Sequence, residues 1–391
     1  MDKLNTLVAS AQYDICGGGR NETRDPLRFI HRAALPNGGT CSLFKVLLTN
    51  VCLNDCAYCV NQIGRDVPRC AYQPDELAKT FMDLHYKRLA QGLFLTSGIG
   101  KNPTNTMESM VKVVEILRRR YQFKGYIHLK ILPGAAFDTI EAGCKLANRV
   151  SVNIEAPTVQ HLARLSQKKD LHNGILERMR WVKKLKSLND RLVPSGQTTQ
   201  FVVGAAGETD RDILRTTNAL YNEIGLRRAY FSAFNPVSHS ILEDMSPTPP
   251  MREHRLYQTD WLLRVYGFKP DEVELALGNN DNLSLSKDPK FSIAQKQPWL
   301  FPVNVNTASY EELLRVPGIG PISARRIIDV RKESKINAVS QLTKMRVVTS
   351  RAVPFIWFKG MLEHEKQASF MPLLEEDTKL PALSLPEAVN I

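Results

Sequence analysis

Lys45-Val-Leu-Leu-Thr-Asn-Val-Cys52-Leu-Asn-Asp-Cys56-Ala-Tyr-Cys59 is the stretch on which the reading of the whole chain turns. Its first five residues, Lys45 to Thr49, form a short apolar run of the kind that makes a buried strand. Three cysteines in a C-x3-C-x2-C array follow at once, in the loop such a strand would feed. Thiolates bind iron-sulfur clusters, and an electron-transfer cubane ordinarily takes four of them. A compact set of three therefore implies one iron without a protein ligand, open to substrate chemistry. The alternative is a structural zinc site completed by Cys41, Cys70 or a histidine. Zinc knuckles favour paired C-x2-C arms, and the chain has no second arm.

Outward from this array, short β-branched runs alternate with amphipathic helical stretches as far as Phe268, the pattern of repeated βα units around a parallel sheet. The spacing predicts strands at Lys45–Thr49, Leu93–Thr96, Tyr126–Ile131, Val150–Ile154, Thr199–Val203 and Arg228–Ser232. It predicts helices near Asp75–Gln91, Met107–Arg120, Asp138–Ala147, Asn173–Ser187, Asp210–Glu223 and Arg252–Tyr266. The fold class that follows is α/β, a partial (β/α)6 TIM-type barrel. Barrels place their chemistry in the loops after the strands, so the segments starting at Asn50, Ser97, Leu132, Glu155, Gly204 and Ala233 should converge on one mouth.

A C-x3-C-x2-C array after the first strand of a six-unit β/α barrel resembles the radical S-adenosylmethionine (SAM) superfamily. That resemblance implies a 4Fe-4S cluster on Cys52, Cys56 and Cys59, with SAM chelating the fourth iron. It also implies an external electron donor and reductive cleavage of SAM to a 5′-deoxyadenosyl radical that takes a hydrogen from the substrate. The superfamily's motifs carry over position by position. Tyr58 fills the aromatic slot near the adenine. Ser97-Gly98-Ile99 stands where the superfamily usually has Gly-Gly-Glu; the acid is missing, which leaves Ser97 and the backbone of Gly98 to meet the SAM amino group. Ser151, Asn153 and Glu155 alternate along the fourth strand and share one face, where polar groups serve the ribose or amino group. An internal hydrogen-bond network is the plainer reading of these residues. Gly204 and Gly207, in Val203-Gly-Ala-Ala-Gly-Glu-Thr-Asp210, resemble the loop that cradles adenine. His128 and Lys130 alternate on the third strand, within reach of the SAM carboxylate or a substrate phosphate.

The second signal is Asn304-Val-Asn-Thr-Ala-Ser-Tyr-Glu-Glu-Leu-Leu-Arg-Val-Pro317-Gly318-Ile319-Gly320-Pro-Ile-Ser-Ala-Arg325-Arg326. It looks like a helix-hairpin-helix, with a first helix capped at Thr307 or Ser309 and a second starting near Pro321. Glycines in the turn leave amides bare at a helix N-terminus, which suits a phosphate oxygen and gives binding without base readout. Pro317, Gly318, Ile319 and Gly320, with Arg325 and Arg326 one turn later, are the candidate DNA-binding residues. Protein contact is the other use of such hairpins. Residues from Ile336 to Phe358 read as a degenerate second hairpin, with Phe355, Trp357 and Phe358 as core.

The order of parts resembles a subfamily of radical SAM proteins with a C-terminal helix-hairpin-helix, regarded as DNA modification or repair proteins and associated with a partner resembling uracil-DNA glycosylase. The match includes the N-terminal Ala11–Asp14 run with Cys16, and Arg252-Glu-His-Arg255, which could line the substrate side of the mouth. Other readings are an enzyme acting on RNA or free nucleotides, and a non-catalytic iron-sulfur DNA-binding protein, which would need a fourth cysteine ligand.

The whole-chain properties agree. A net charge of +12 favours an anionic partner. Seven cysteines, scattered apart from the three in the array, suit a reducing compartment. No apolar run approaches the roughly 20 residues of a membrane span, so the expectation is a cytoplasmic protein without a membrane partner. The expected organisation is an N-terminal extension (1–40), the partial barrel (41–278), a linker rich in Asn, Ser, Lys and Pro (279–302), a small all-α helix-hairpin-helix domain (303–360) and a tail (361–391).

Overall fold

In the computed structural model the chain is described at residues 3–11, 30–34 and 39–361; Asp14, Cys16 and the tail beyond Met361 lie outside them. Two compact units are present, one within residues 1–208 and 212–253 and the other within 209–211 and 254–383.

The first unit opens with helix α1 (Lys3–Ala11), and Ile30–Ala34 (β1) then pairs antiparallel with Thr40–Leu47 (β2). From β2 onward every strand is parallel to its neighbour and follows it in chain order: β3 (Gly92–Thr96), β4 (Tyr126–Lys130), β5 (Arg149–Ser151), β6 (Gln197–Val203) and β7 (Arg228–Ala233). Helices α2 (Pro74–Tyr86), α3 (Pro103–Arg119), α4 (Phe137–Leu146), α5 (Val159–Leu165), α6 (Glu177–Leu188) and α7 (Asp210–Ala219) make the crossovers. Strands that twist in one sense and always cross over to the next neighbour curl the sheet. The result is a seven-stranded half-barrel, one antiparallel edge strand more than the six parallel strands expected.

One face of strands β2 to β5 carries Phe44, Val46, Leu93, Leu95, Ile127, Leu129 and Val150, all fully buried. Burying a side chain of this kind contributes about 1.5–3 kcal/mol, so this face fixes strand register against the helices. Of Arg118, Arg119 and Arg120, the first donates to the carbonyls of Leu146, Phe123 and Gly125, while the other two form surface pairs with Glu115 and Asp75.

Several element ends depart from the sequence reading for local reasons. Helix α3 starts at Pro103 rather than near Met107, because the Asn102 side chain caps the Asn105 amide and proline suits the first helical position. The strand expected to run to Ile154 ends at Ser151, and Glu155 has a left-handed φ of 67°.

The second unit is built around the hairpin. Helix α8 (Pro250–Arg264) leads into α9 (Pro270–Glu274) and α10 (Pro289–Lys296), followed by β8 (Val303–Asn304), α11 (Tyr310–Arg315), α12 (Pro321–Glu333), α13 (Val339–Lys344), α14 (Thr349–Ala352) and β9 (Ile356–Trp357). Parallel pairing of β8 with β9 corrects the all-α expectation: it ties the start of this segment to its end. Leu313, Val316, Ile319, Ile327, Leu342 and Ile356 form the core, and Ala294 and Phe291 of α10 pack on it. The short helix α10, within the stretch expected to be a linker, therefore belongs to this core. Phe355 and Phe358 are buried, but Trp357 is 44% exposed, so it is not the core residue expected. Every second residue of a strand faces outward, and Trp357 follows the buried Ile356 in β9.

Candidate functional site

The three cysteines occupy a loop that leaves β2 at the C-terminal edge of the sheet and is closed at its base. Thr49 Oγ1 donates to the Cys70 carbonyl at 2.9 Å, and Asn50 bridges to Pro68 and Cys70 through both atoms of its amide, each at 2.8 Å. Arg69 lies inside the loop, its guanidinium donating to the carbonyls of Asn50, Asn61, Gln62 and Arg65. Hydrogen bonds from a charged donor contribute about 1.5–3 kcal/mol each, so one side chain holds most of the loop's turns in place.

The loop after β3 runs alongside. Leu53 donates to the Ile99 carbonyl and Gly98 to that of Thr49, while the Ile99 amide faces Cys52 Sγ at 3.5 Å. A Cβ at Gly98 would stand 2.5 Å from the Val51 carbonyl oxygen, so only glycine lets the two loops meet. Beside it, Ser97 Oγ is buried without a hydrogen-bond partner.

A third segment, missed in the sequence, grips the loop from the end of α5. Ala57 donates to the Leu165 carbonyl, Ser166 Oγ and the Gln167 amide bind the Asp55 carboxylate, and Lys168 reaches the Leu53 carbonyl at 2.8 Å. Lys169 is nearly buried and donates to Tyr58 Oη at 2.8 Å and to Glu155 Oε1 at 3.0 Å. Burial alone would pull its pKa down; the neighbouring Cys56 and Glu155 more than reverse that and raise it. The carboxylate of Glu155 is thus balanced within the protein. Nothing in the polar run Ser-Gln-Lys-Lys separates it from a surface loop.

Burial pushes the Cys59 thiol up to about 12, with Cys56 and Cys52 adding to the effect, and burial also raises Cys56. Thiolates this close need a cationic centre to be stable, and bound iron supplies one. Among the described residues no three His, Cys, Asp or Glu side chains converge on a single metal ion. A cubane sets a different condition, since each thiolate takes its own iron and the sulfurs stand around the cluster. Of the other described cysteines, Cys41 is near the far end of β2, about 20 Å from the strand's last residue at the rise of an extended chain, Cys144 is buried in α4, and Cys70 stands at the base of the same loop, where Lys3 rather than the three array thiols acts on its thiol. The donor set is three thiols in one preorganised loop, which fits a cubane with an open iron.

The remaining candidates surround the same edge. Lys130 ends β4, in register with Ser151 of β5. Asn153 and Glu155 follow β5 and are buried. Gly204 and Gly207 lie in the loop after β6, which the Glu208 carboxylate closes by accepting from the amides of Gly204 and Ala206. Arg164 donates to the Ala206 carbonyl and Arg252 to that of Glu208. Of the Arg252–Arg255 run, Glu253 accepts from the Ala233 amide and Arg255 is buried, donating to the carbonyls of Ser284 and Leu285.

In the second unit, Ser309 and Glu312 form a capping box on α11, and Pro317-Gly318-Ile319-Gly320 turns into α12. Gly318 has a φ of 86°, and a Cβ there would stand 2.5 Å from the Val348 carbonyl oxygen. The Gly318 carbonyl accepts from the Val348 amide, and Ser323 Oγ donates to the Arg346 carbonyl, so the second, glycine-free turn packs on the first. Lys290, buried beneath, donates to the Ile319 carbonyl at 2.6 Å. The N-cap of α12 is Gly320, so no capping side chain covers its first-turn amides. Arg325 is exposed and Arg326 half-buried on the same helix.

Comparison with known proteins matches these two regions separately. The radical SAM superfamily model matches residues 46–220, and a helix-hairpin-helix motif model matches residues 302–353. No curated protein matches the chain. Among solved structures, HydG, a maturase of the [FeFe]-hydrogenase, matches at 12% identity and a TM-score of 0.46 over 68% of this chain and 56% of its own. Methylornithine synthase (PylB) matches at 14% and 0.45 over 73% and 69%, and Streptococcus suis SuiB bound to S-adenosylmethionine at 12% and 0.43 over 57% and 47%. The chain thus spans little more than half the length of HydG. It carries a radical SAM superfamily domain on the half-barrel and a helix-hairpin-helix motif in its second unit.

Proposed function

We propose that the protein is a radical SAM enzyme that holds a 4Fe-4S cluster on Cys52, Cys56 and Cys59 and modifies or repairs DNA bound through its hairpin. The observation that carries this reading is the three-thiol loop braced against Gly98, in which Cys52, Cys56 and Cys59 are electrostatic neighbours and Cys70, at its base, is not. When bound, the cluster and SAM supply a 5′-deoxyadenosyl radical, generated by one electron from an external donor, that removes a substrate hydrogen.

The chain's own residues bind and orient. Tyr58, fixed by Lys169, offers its ring to the adenine. The unpartnered Ser97 Oγ and the Gly98 backbone serve the amino group, and Lys130 serves the carboxylate. Asn153 and Glu155 serve the ribose, and the loop of Gly204 and Gly207 the adenine edge. In the second unit, the uncapped amides at the start of α12, together with Arg325 and Arg326, suit phosphate oxygens. A protein resembling uracil-DNA glycosylase would add base recognition that a hairpin gripping phosphate does not provide. The reading as a structural cluster needs a fourth thiolate; the placement of Cys41 and Cys144 disfavours it, and Cys70, at the base of the loop beside Lys3, is the residue that tests it.

The test is anaerobic. The cluster is reconstituted and reduced, SAM is added, and 5′-deoxyadenosine is assayed with and without single-stranded or duplex DNA. Product that rises with DNA and vanishes in Cys52→Ala supports the reading; product indifferent to DNA but stimulated by RNA or mononucleotides would move the substrate to those classes.

A further inference from the structure

A cation is buried against the hairpin turn. Lys290 is 8% exposed and lies on α10, whose neighbouring residues Phe291 and Ala294 pack on the apolar core of the second unit. Its ammonium stands 4.8 Å over the Tyr266 ring and donates to the Ile319 carbonyl at 2.6 Å. A charge in such a place is costly, and an apolar side chain of similar volume would fill the space without that cost. Asp288, at the start of the same helix, offsets part of the charge but is itself paired with Arg351.

The atom that Lys290 holds decides what its charge can do. The Ile319 carbonyl and the Gly320 amide belong to one peptide unit, planar and trans. In a trans peptide the C=O and N–H point in opposite directions, so a cation on the oxygen leaves the N–H aimed away from it. Gly320 is the N-cap of α12; its carbonyl accepts from the Ala324 amide, and its N–H makes no hydrogen bond among the described residues. Hydrogen bonds in series polarise one another. An ammonium on the carbonyl therefore makes the Gly320 amide a stronger donor and sets a positive charge directly behind it. Tyr266 fixes the seat: a Cβ at Gly320 would stand 3.2 Å from its Oη, tighter than ordinary contact.

We propose that Lys290 is a positioning residue for phosphate: fixed on the Ile319 carbonyl, it orients and polarises the Ile319–Gly320 peptide so that the Gly320 N–H grips a phosphate oxygen of DNA. This deepens the reading of the hairpin as the DNA site and rests on it. Arg325 and Arg326 attract phosphate as side-chain charges, whereas Lys290 acts through one peptide. Burial holds the Lys290 ammonium well below its usual pKa; Asp288 opposes this, and Arg351, from α14, adds to it. Tyr266, from α8, faces it with a phenol whose pKa burial raises, so that group stays neutral. A phosphate across the peptide favours the charged amine, so binding raises the Lys290 pKa and takes up a proton. Affinity for DNA is then greatest with the ammonium in place and falls as pH rises through the lowered pKa, below the ordinary lysine range.

Fluorescence anisotropy of labelled duplex DNA with the full chain, without cluster or SAM, tests this across a pH series. Lys290→Gln keeps a donor for the Ile319 carbonyl but removes the charge. At the low end of the series it should bind about tenfold more weakly than the wild type, and at the high end the two should converge. Its melting temperature should be unchanged or higher, because an ammonium no longer has to be buried. Lys290→Met lacks the donor as well and should bind more weakly still. Arg325→Gln should weaken binding and keep the wild-type pH profile. Calorimetry of the wild-type chain in two buffers of different ionisation enthalpy reads the proton uptake without any variant. Wild-type binding without proton uptake would overturn the proposal, as would a Lys290→Gln chain that binds like the wild type or loses affinity only in step with its melting temperature. A wild-type chain that binds no DNA removes the DNA reading itself; binding indifferent to Lys290 leaves that reading standing and removes this one alone.

Discussion

The cysteine loop and the hairpin turn are both short segments that place backbone groups for a ligand, yet they are held in opposite ways. Side-chain hydrogen bonds hold the cysteine loop: Arg69, within it, on four carbonyls, and from elsewhere in the chain Lys168 on Leu53 and Lys169 on Tyr58 and Glu155. Apolar packing of Leu313, Val316, Ile319 and Ile327, a few residues away, holds the hairpin, with the second turn as support. A polar scaffold suits a site that must present thiolates and bind a charged cofactor, because its donors stabilise charge. An apolar scaffold suits a turn that has only to leave amides bare. The two regions should therefore fail differently.

The largest effect is expected at the cysteines themselves. Cys56→Ala should cut cluster iron after anaerobic reconstitution to near background, while Cys41→Ala and Cys70→Ala should retain it; iron and sulfide analysis reads this directly. Next comes the buried pair. Lys169→Met strands the Glu155 carboxylate beside Cys56 and should destabilise the first unit by about 3–5 kcal/mol, whereas Lys169→Met with Glu155→Gln should recover most of that loss. Denaturant unfolding of the single and double variants measures it, and additive losses would break the polar half of the comparison.

Effects at the hairpin should be smaller and local. Gly318→Ala forces a Cβ against the Val348 carbonyl in a left-handed conformation. It should cost about 1–3 kcal/mol, weaken DNA binding, and leave cluster loading unchanged. The smallest change is at Arg325: Arg325→Ala should weaken DNA binding uniformly across sequences and lower the salt dependence by about one ion. A sequence-selective loss would mean that this residue reads bases.

What the sequence made legible follows the same division. The parallel strands appear as apolar runs because one face of each packs under helices, and the hairpin is visible because its signals, Ser309, Pro317, Gly318 and Gly320, are local. The edge strand Ile30–Ala34 carries His and Arg in place of a β-branched run, and α5 spans only seven residues, so neither carries a period. Lys169 was out of reach for a different reason. Its partner Tyr58 is distant in the sequence, and a lone cation in a polar stretch looks the same whether it ends in solvent or against a buried carboxylate.

The most direct test of the central claim is the electron paramagnetic resonance spectrum of the reduced, reconstituted protein with and without SAM. Three thiolates and an open iron predict a reduced 4Fe-4S signal that changes on adding SAM and is absent in Cys52→Ala, Cys56→Ala and Cys59→Ala. A signal unchanged by SAM and dependent on Cys41 or Cys70 as strongly as on Cys52 would contradict the account.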